Sequence, residues 1–149
     1  GHRATVISRT DLGYCLLALG RADEAKATLT PVWQAHESAP DSADASGAAM
    51  LLGLARTRSG EAAAAEDLLR KAVAAREKIF GPANPRTHNA RSALGECLTA
   101  LGRAEQAEPL LVAAEAVLAA AYGENDRETK ATRARLAAAR AALGRPTAR

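Results

Sequence analysis

Gly20-Arg21-Ala22-Asp23-Glu24-Ala25 returns, nearly unchanged, as Gly102-Arg103-Ala104-Glu105-Gln106-Ala107. Recurrence of this kind marks an internal repeat, and the register extends outward on both sides. A glycine stands at Gly20, Gly60, Gly102 and Gly144, at spacings of 40, 42 and 42 residues. Seven positions before each is a small residue (Gly13, Gly53, Gly95, Ala137), itself preceded by Leu12, Leu52, Leu94 or Leu136. Five positions after the first three glycines come Ala25, Ala65 and Ala107, and four further on Leu29, Leu69 and Leu111.

Each recurring position has a physical reading. A small residue after a leucine, mid-helix, lets a second helix approach closely, with Ala25, Ala65 and Ala107 expected as its counterparts. The later glycine closes the first helix in the left-handed conformation. Acids just beyond it (Asp23, Glu24, Glu61, Glu105) suit the positive end of the next helix. Every repeat is therefore predicted to be a helical hairpin with a short turn. The pattern places helices over 4–19, 23–37, 43–59, 62–79, 85–101, 105–121 and 127–143, the second kinked at Pro31.

The joints between hairpins repeat as well. Phe80-Gly81-Pro82-Ala83-Asn84-Pro85-Arg86-Thr87 matches Tyr122-Gly123-Glu124-Asn125-Asp126-Arg127-Glu128-Thr129 at an offset of 42. Asn84 and Asp126 are expected to N-cap the helix that follows, with Pro85 in its first position. His2-Arg3-Ala4-Thr5 falls in the same register, whereas the joint from His36 to Ser46 has lost the aromatic-Gly pair. The organisation is three hairpins and a single last helix: repeats over about 1–42, 43–83 and 84–125, a partial repeat over 126–145, and a tail over 146–149. A lone terminal helix with a polar outer side is expected to cap the stack. Arg140 stands there where Leu16 and Leu98 stand earlier, although Arg56 takes the same place inside the array.

Composition agrees with an all-α chain. Alanine and leucine supply most of the 48% hydrophobic content, against Trp33, Phe80, Tyr14 and Tyr122 as the whole aromatic set. Such a mixture favours helices over strands. No run of 18 apolar residues exists to cross a membrane as a helix. The net charge of +3 is uneven: Arg127–Arg149 holds seven basic residues against the single acid Glu128. Without interleaved aromatics that segment reads as a solvated terminal helix rather than a nucleic-acid surface.

No catalytic constellation emerges. Cys15 and Cys97 occupy a slot held by Ala55 and Ala139 in the other copies, so both are expected to pack as small hydrophobes. His2, His36 and His88 belong to different joints and lack partners at metal-ligand spacing; His88, in the first turn of a helix, is expected to be exposed. Glu61, Glu66 and Asp67 resemble a carboxylate cluster, but Glu66 and Asp67 should pair with Arg70 and Lys71 along one helix face. Neither a G-x-S-x-G nucleophile motif nor a phosphate-binding loop is present. The expectation is a non-enzyme, without cofactor or metal.

These features resemble the tetratricopeptide repeat over essentially the whole chain. The 42-residue spacing and the aromatic-Gly…Asn/Asp-x-x-Thr joint look like the kinesin-light-chain subtype. The resemblance implies a right-handed α-solenoid of tetratricopeptide hairpins ending in a capping helix. It also implies a protein–protein interaction module that takes a peptide or partner protein in its concave groove. Such repeats occur in large bacterial regulatory proteins, including the C-terminal regions of some membrane-linked Ser/Thr kinases. The chain, which opens on Gly1 at a repeat boundary, is accordingly expected to be a scaffold or sensor segment of a larger, cytoplasmic regulator. The Asn and Lys/Arg ladder with which some members clamp a peptide's terminal carboxylate is not evident.

Carried over position by position, the family's groove falls on the first helix of each hairpin. It would be lined by Thr10, Tyr14 and Leu17, then Met50 and Leu54, then Ser92, Glu96 and Thr99. Thr57 shares the register, and the last helix offers Ala134, Ala138 and Ala141. The groove should be apolar at its N-terminal end, polar in the third repeat, and shallow over the alanines, with Arg133, Arg135 and Arg140 flanking them. A partner with an apolar anchor and an acidic flank would match. Two alternatives stand beside this reading. Tyr14, Met50 and Leu54 could simply fill gaps between helices, and the array could be a spacer or homodimerisation element joined through the alanine face of its last helix.

Overall fold

The computed structural model describes residues 2–146, with side chains from Ser8 onward. It contains seven helices: α1 (His2–Ala18), α2 (Ala22–His36), α3 (Ala43–Arg58), α4 (Ala62–Phe80), α5 (Pro85–Ala100), α6 (Ala104–Tyr122) and α7 (Arg127–Ala142). No strand occurs among the described residues. Each helix lies within two residues of its sequence-based bounds at either end. Pro31 does not end α2, which runs on to His36, and α6 likewise runs through Pro109. Both prolines stand at exposed positions, where a carbonyl freed of its helical donor can turn to water.

The hairpin turns form as the glycine spacing requires. Gly20, Gly60, Gly102 and Gly144 all have positive φ, between 67° and 85°. The residue after each donates its backbone N–H to a carbonyl in the last turn, as Arg21 does to Leu16 at 2.8 Å and Arg103 to Leu98 at 2.8 Å. At the joints, Asn84 accepts from the Arg86 N–H at 2.9 Å. Asp126 accepts from the N–H groups of Glu128 and Thr129. The irregular first joint finds its own cap in Ser42, which accepts from the Ala45 N–H at 3.1 Å. The Thr87 hydroxyl donates to the Gly81 carbonyl at 2.8 Å, tying the joint to the helix it starts.

Within each hairpin the close approach differs from the expected one. A Cβ placed on Gly13, Gly53 or Gly95 would stand 2.5–2.7 Å from Cγ of Leu29, Leu69 or Leu111 respectively. The partner of the small residue is thus the leucine nine positions beyond the turn glycine. Ala25, Ala65 and Ala107 are fully buried in their own right. Among the described residues no leucine of a second helix stands against Ala137, so its methyl meets no such contact.

Consecutive helices pack on one another, and α1 packs on α3, α3 on α5, and α5 on α7. The even-numbered helices make no comparable contacts among themselves. The array therefore curves toward the odd-numbered helices, which line its concave side. The core runs through the stack as one cluster, with Leu29, Leu52, Leu69, Leu98 and Leu111 as its largest fully buried side chains.

The two ends differ from the middle. Leu52, Leu94 and Leu136 are at most 5% exposed, but Leu12 in the same register is 51% exposed, and Leu19 is 68% exposed. Cys15 is exposed too, whereas Cys97 is buried and donates to the Ala62 carbonyl in the preceding hairpin. In the later copies the preceding hairpin covers these slots, whereas the described residues leave them open on α1; packing holds for Cys97 but not for Cys15. His88 is a second correction, since it is 7% exposed. Its Nε2 lies 3.2 Å from Arg91 Nη1 while its Nδ1 is buried without a partner. The side chains of His2, Arg3, Thr5 and Arg149 lie outside the described residues.

Candidate protein-binding groove

Among the described residues, two cavities open on the concave side. The smaller, about 110 Å³, is walled by Tyr14, Leu17, Met50 and Leu54 on one side and by Arg127, Glu128, Ala131 and Arg135 of α7 on the other. It gathers all four residues expected to form the apolar end. Tyr14 is half-buried, while Leu17, Met50 and Leu54 are only 6–8% exposed. These three therefore serve the core first and offer the cavity little more than an edge. Thr10 is half-buried on α1 and lines neither cavity.

The larger cavity, about 460 Å³, lies where the groove was expected to be shallow. Thr99, Ala100, Ala131, Ala134 and Ala138 form its apolar wall, with Arg58, Glu96 and Arg135 at its polar side. Small side chains make room rather than a flat surface. Arg58 grips Glu96 with two bonds, Nε to Oε2 at 2.9 Å and Nη2 to Oε1 at 3.0 Å. Arg135 donates its Nε to Glu96 Oε1 at 2.9 Å and its Nη1 to Ser92 Oγ at 2.8 Å. Ser92 also bonds Thr132 at 2.7 Å and is fully buried. Ser92 is thus no groove contact but the seat of Arg135, because the small α5–α7 spacing closes over it.

Arg135, 8% exposed, belongs to the groove itself rather than flanking the alanines. Burial alone would raise the Glu96 carboxyl, yet the hydrogen bond from Arg58 and the charges of Arg135 and Arg58 hold it below the ordinary range. Its hydrogen bond to Glu96 in turn keeps the Arg58 guanidinium above its usual value. Two cations share one carboxylate, so the site retains a local positive excess.

Elsewhere the charges largely cancel. Glu66 pairs with Arg70, and Asp67 with Lys71, as the helix spacing predicts. Arg103–Glu66 and Lys26–Glu61 tie neighbouring hairpins together. The basic segment is less free than its composition suggests. Arg133 pairs with Glu115 and Glu124, and Arg140 and Arg145 both pair with Glu108. Arg140 is therefore a bridge to α6 and not simply a solvent-facing cap residue. Arg58, Arg127, Glu128 and Ala131 escaped the register argument. The one available signal was Glu96, an acid on an otherwise uncharged inner face, which demands cationic partners when half-buried.

A stack of paired helices with a hollow, mixed apolar and cationic inner wall defines a helical-repeat scaffold. Residues 44–120 match the family model described as tetratricopeptide repeat. The chain belongs to the tetratricopeptide repeat family. Its fold is similar to that of a Podosopora anserina protein assigned to the kinesin light chains, built of nearly identical TPR-like repeats. One crystal structure of it, a point variant, superposes with a TM-score of 0.78 at 22% identity, covering 97% of this chain and 69% of that one. Another gives 0.77 at 22% identity, covering 94% and 67%. No curated protein matches the chain in sequence at a significant level.

Proposed function

We propose that the array binds a segment of another protein in its concave groove, as the scaffold or sensor part of a larger bacterial regulatory protein acting in the cytoplasm. The bound segment would be extended or helical. It would place an apolar side chain against the alanine wall beside Thr99, with Tyr14 at the far end, and set an acidic group over Arg58 and Arg135. The observation that carries this reading is the 460 Å³ hollow whose polar side holds two arginines on one carboxylate. A nucleic-acid role draws little support, since four arginines of the basic segment are engaged by acids of α5, α6 and the α6–α7 joint. No described helix is long and apolar enough to cross a membrane. No catalytic role, metal or cofactor is proposed.

Selection of random peptides on the immobilised array tests the reading. Enriched peptides should combine an acid with an apolar residue, and Arg58→Ala or Ala134→Trp should each weaken them by ~1–3 kcal/mol. Peptides that bind these variants as tightly as the parent would refute the groove assignment. The second reading is self-association, supported less by the alanine face than by exposed Leu12 and Leu19 on α1. Sedimentation at several concentrations separates the two: a dimer abolished by Leu12→Glu favours self-association.

A further inference from the structure

Helices α1 and α7 share no backbone packing, since among the odd-numbered helices only neighbours in the series pack on each other. Their side chains nevertheless meet across the concave face. Tyr14 donates its hydroxyl to Glu128 Oε1 at 3.0 Å, and the Arg127 guanidinium stands 4.9 Å from the centre of the Tyr14 ring. Arg127 and Glu128 form the first turn of α7, fixed there by the Asp126 cap. Behind this contact lies the smaller cavity, with Leu17, Met50 and Leu54 at its back. Burial and the adjacent Glu128 charge raise the Tyr14 hydroxyl, so it remains a donor at any neutral pH.

We propose that Tyr14, Arg127 and Glu128 form a latch that closes the array across its own groove and controls access to the apolar cavity. In a repeat stack each hairpin is held only by its neighbours, so small rotations accumulate from end to end. A contact joining α1 to α7 takes up that freedom across the helices between them. Its parts, one charge-assisted hydrogen bond and one cation–π contact, are strong enough to bias the curvature and weak enough to open. Glu128 occupies the Tyr14 hydroxyl in the same way that an acidic group of a partner could, so an acidic ligand competes directly with closure. The latch is a property of the free protein and stands or falls independently of the groove reading.

Two measurements on the free chain test it. With Cys97→Ala, a change the alanines at the equivalent positions 55 and 139 show to be acceptable, Cys15 on α1 becomes a unique thiol. Spin labels at Cys15 and at Lys130→Cys on α7 then report the gap by dipolar electron resonance. The parent should give one narrow separation, and Tyr14→Phe with Arg127→Ala should lengthen and broaden it, while Tyr122→Phe leaves it alone. In a Cys15→Ser, Cys97→Ala background, a Met50→Cys thiol inside the cavity should react with maleimide at least ~10-fold faster once the latch is cut, the factor expected for losing a hydrogen bond to a charged group. If the double variant loses helicity, Glu128→Ala, which removes the acceptor of the Tyr14 hydroxyl, alone carries both readouts. Either readout remaining at its parental value in a natively helical variant overturns the latch.

Discussion

Two Gly→Ala substitutions in α3, identical in chemistry, should move stability in opposite directions. Both relieve the helix of glycine's backbone entropy, worth ~1 kcal/mol each. At Gly47 the added methyl meets nothing nearer than Arg76 Nη2 at 3.8 Å, an ordinary contact. Gly47→Ala should therefore stabilise by ~0.5–1 kcal/mol. At Gly53 the same methyl would lie 2.5, 2.7 and 3.3 Å from Cγ, Cδ2 and Cδ1 of Leu69. Leu69 is fully buried and has no open space to retreat into. Overpacking of this kind costs ~2–3 kcal/mol, so after the propensity gain Gly53→Ala should be destabilised by ~1–2 kcal/mol.

Thermal unfolding followed by far-UV circular dichroism reads the difference. At roughly 3 °C per kcal/mol for a chain of this size, Gly47→Ala should raise Tm by about 2–3 °C and Gly53→Ala lower it by about 3–6 °C. A cycle sharpens the test. Leu69→Ala alone should cost ~2–5 kcal/mol through the space it leaves, but less in the Gly53→Ala background, where the new methyl fills part of that space. A Gly53→Ala protein as stabilised as Gly47→Ala, or costs that simply add, would show that the helices of a hairpin do not touch where this reasoning puts them.

Further outcomes follow from buried groups. His88 is held neutral by burial and then by Arg91, so its folded pKa lies below its unfolded value. The unfolded chain binds the extra proton, and His88's contribution is complete above about pH 6.5 and declines as pH falls below it. His88→Gln should flatten the stability profile between pH 7 and 5, as urea titrations at several pH values would show; an unchanged slope refutes the assignment. Cys15 should be alkylated in the native protein while Cys97, buried and with its thiol pushed up by desolvation, stays unmodified until unfolding, a distinction that intact-mass measurement resolves. Arg135→Met should cost ~1–3 kcal/mol by leaving half-buried Glu96 to Arg58 alone and Ser92 to Thr132 alone, whereas Arg70→Met, on the exposed face, should change Tm by less than the error of the measurement.

The repeat register made the helices, turns and joints readable because those features depend on residues close in sequence. Gly20 ends α1 and Asp126 starts α7 through bonds spanning five residues or fewer. The partner of Gly53 was misplaced onto Ala65 rather than Leu69 since both lie on the same buried stripe of α4, and only the rotation of the hairpin distinguishes them. His88 misled for a similar reason: a first-turn position is commonly open, but here the joint of the preceding hairpin folds over it, with the Pro82 carbonyl receiving Arg91 at 2.9 Å. The groove was legible only in part. Offsets along one helix locate Tyr14 and Glu96, but the arginines that answer Glu96 come from α3 and α7, 38 and 39 positions away.

That distance carries the functional argument. Repeats are alike where they pack on themselves and differ where Arg58, Glu96 and Arg135 stand. Replacing a buried ion cluster by apolar residues seldom weakens a fold, so the core alone gives no reason for a charged cluster on the inner face. The alanines of α7 point the same way. Larger residues at Ala134 and Ala138 would fill the 460 Å³ hollow without touching any helix-to-helix contact described above, yet the hollow is left open beside two cations. Space bounded by a neutral wall and a cationic edge complements a ligand that is partly apolar and partly acidic. Ala134→Trp therefore separates the alternatives with least ambiguity: it should leave Tm within about 2 °C, because the position is exposed, while abolishing capture of the selected peptides. Retained capture with the indole in place would mean the hollow is incidental to the packing of α5 and α7, and the search for a partner would move to the uncovered face of α1.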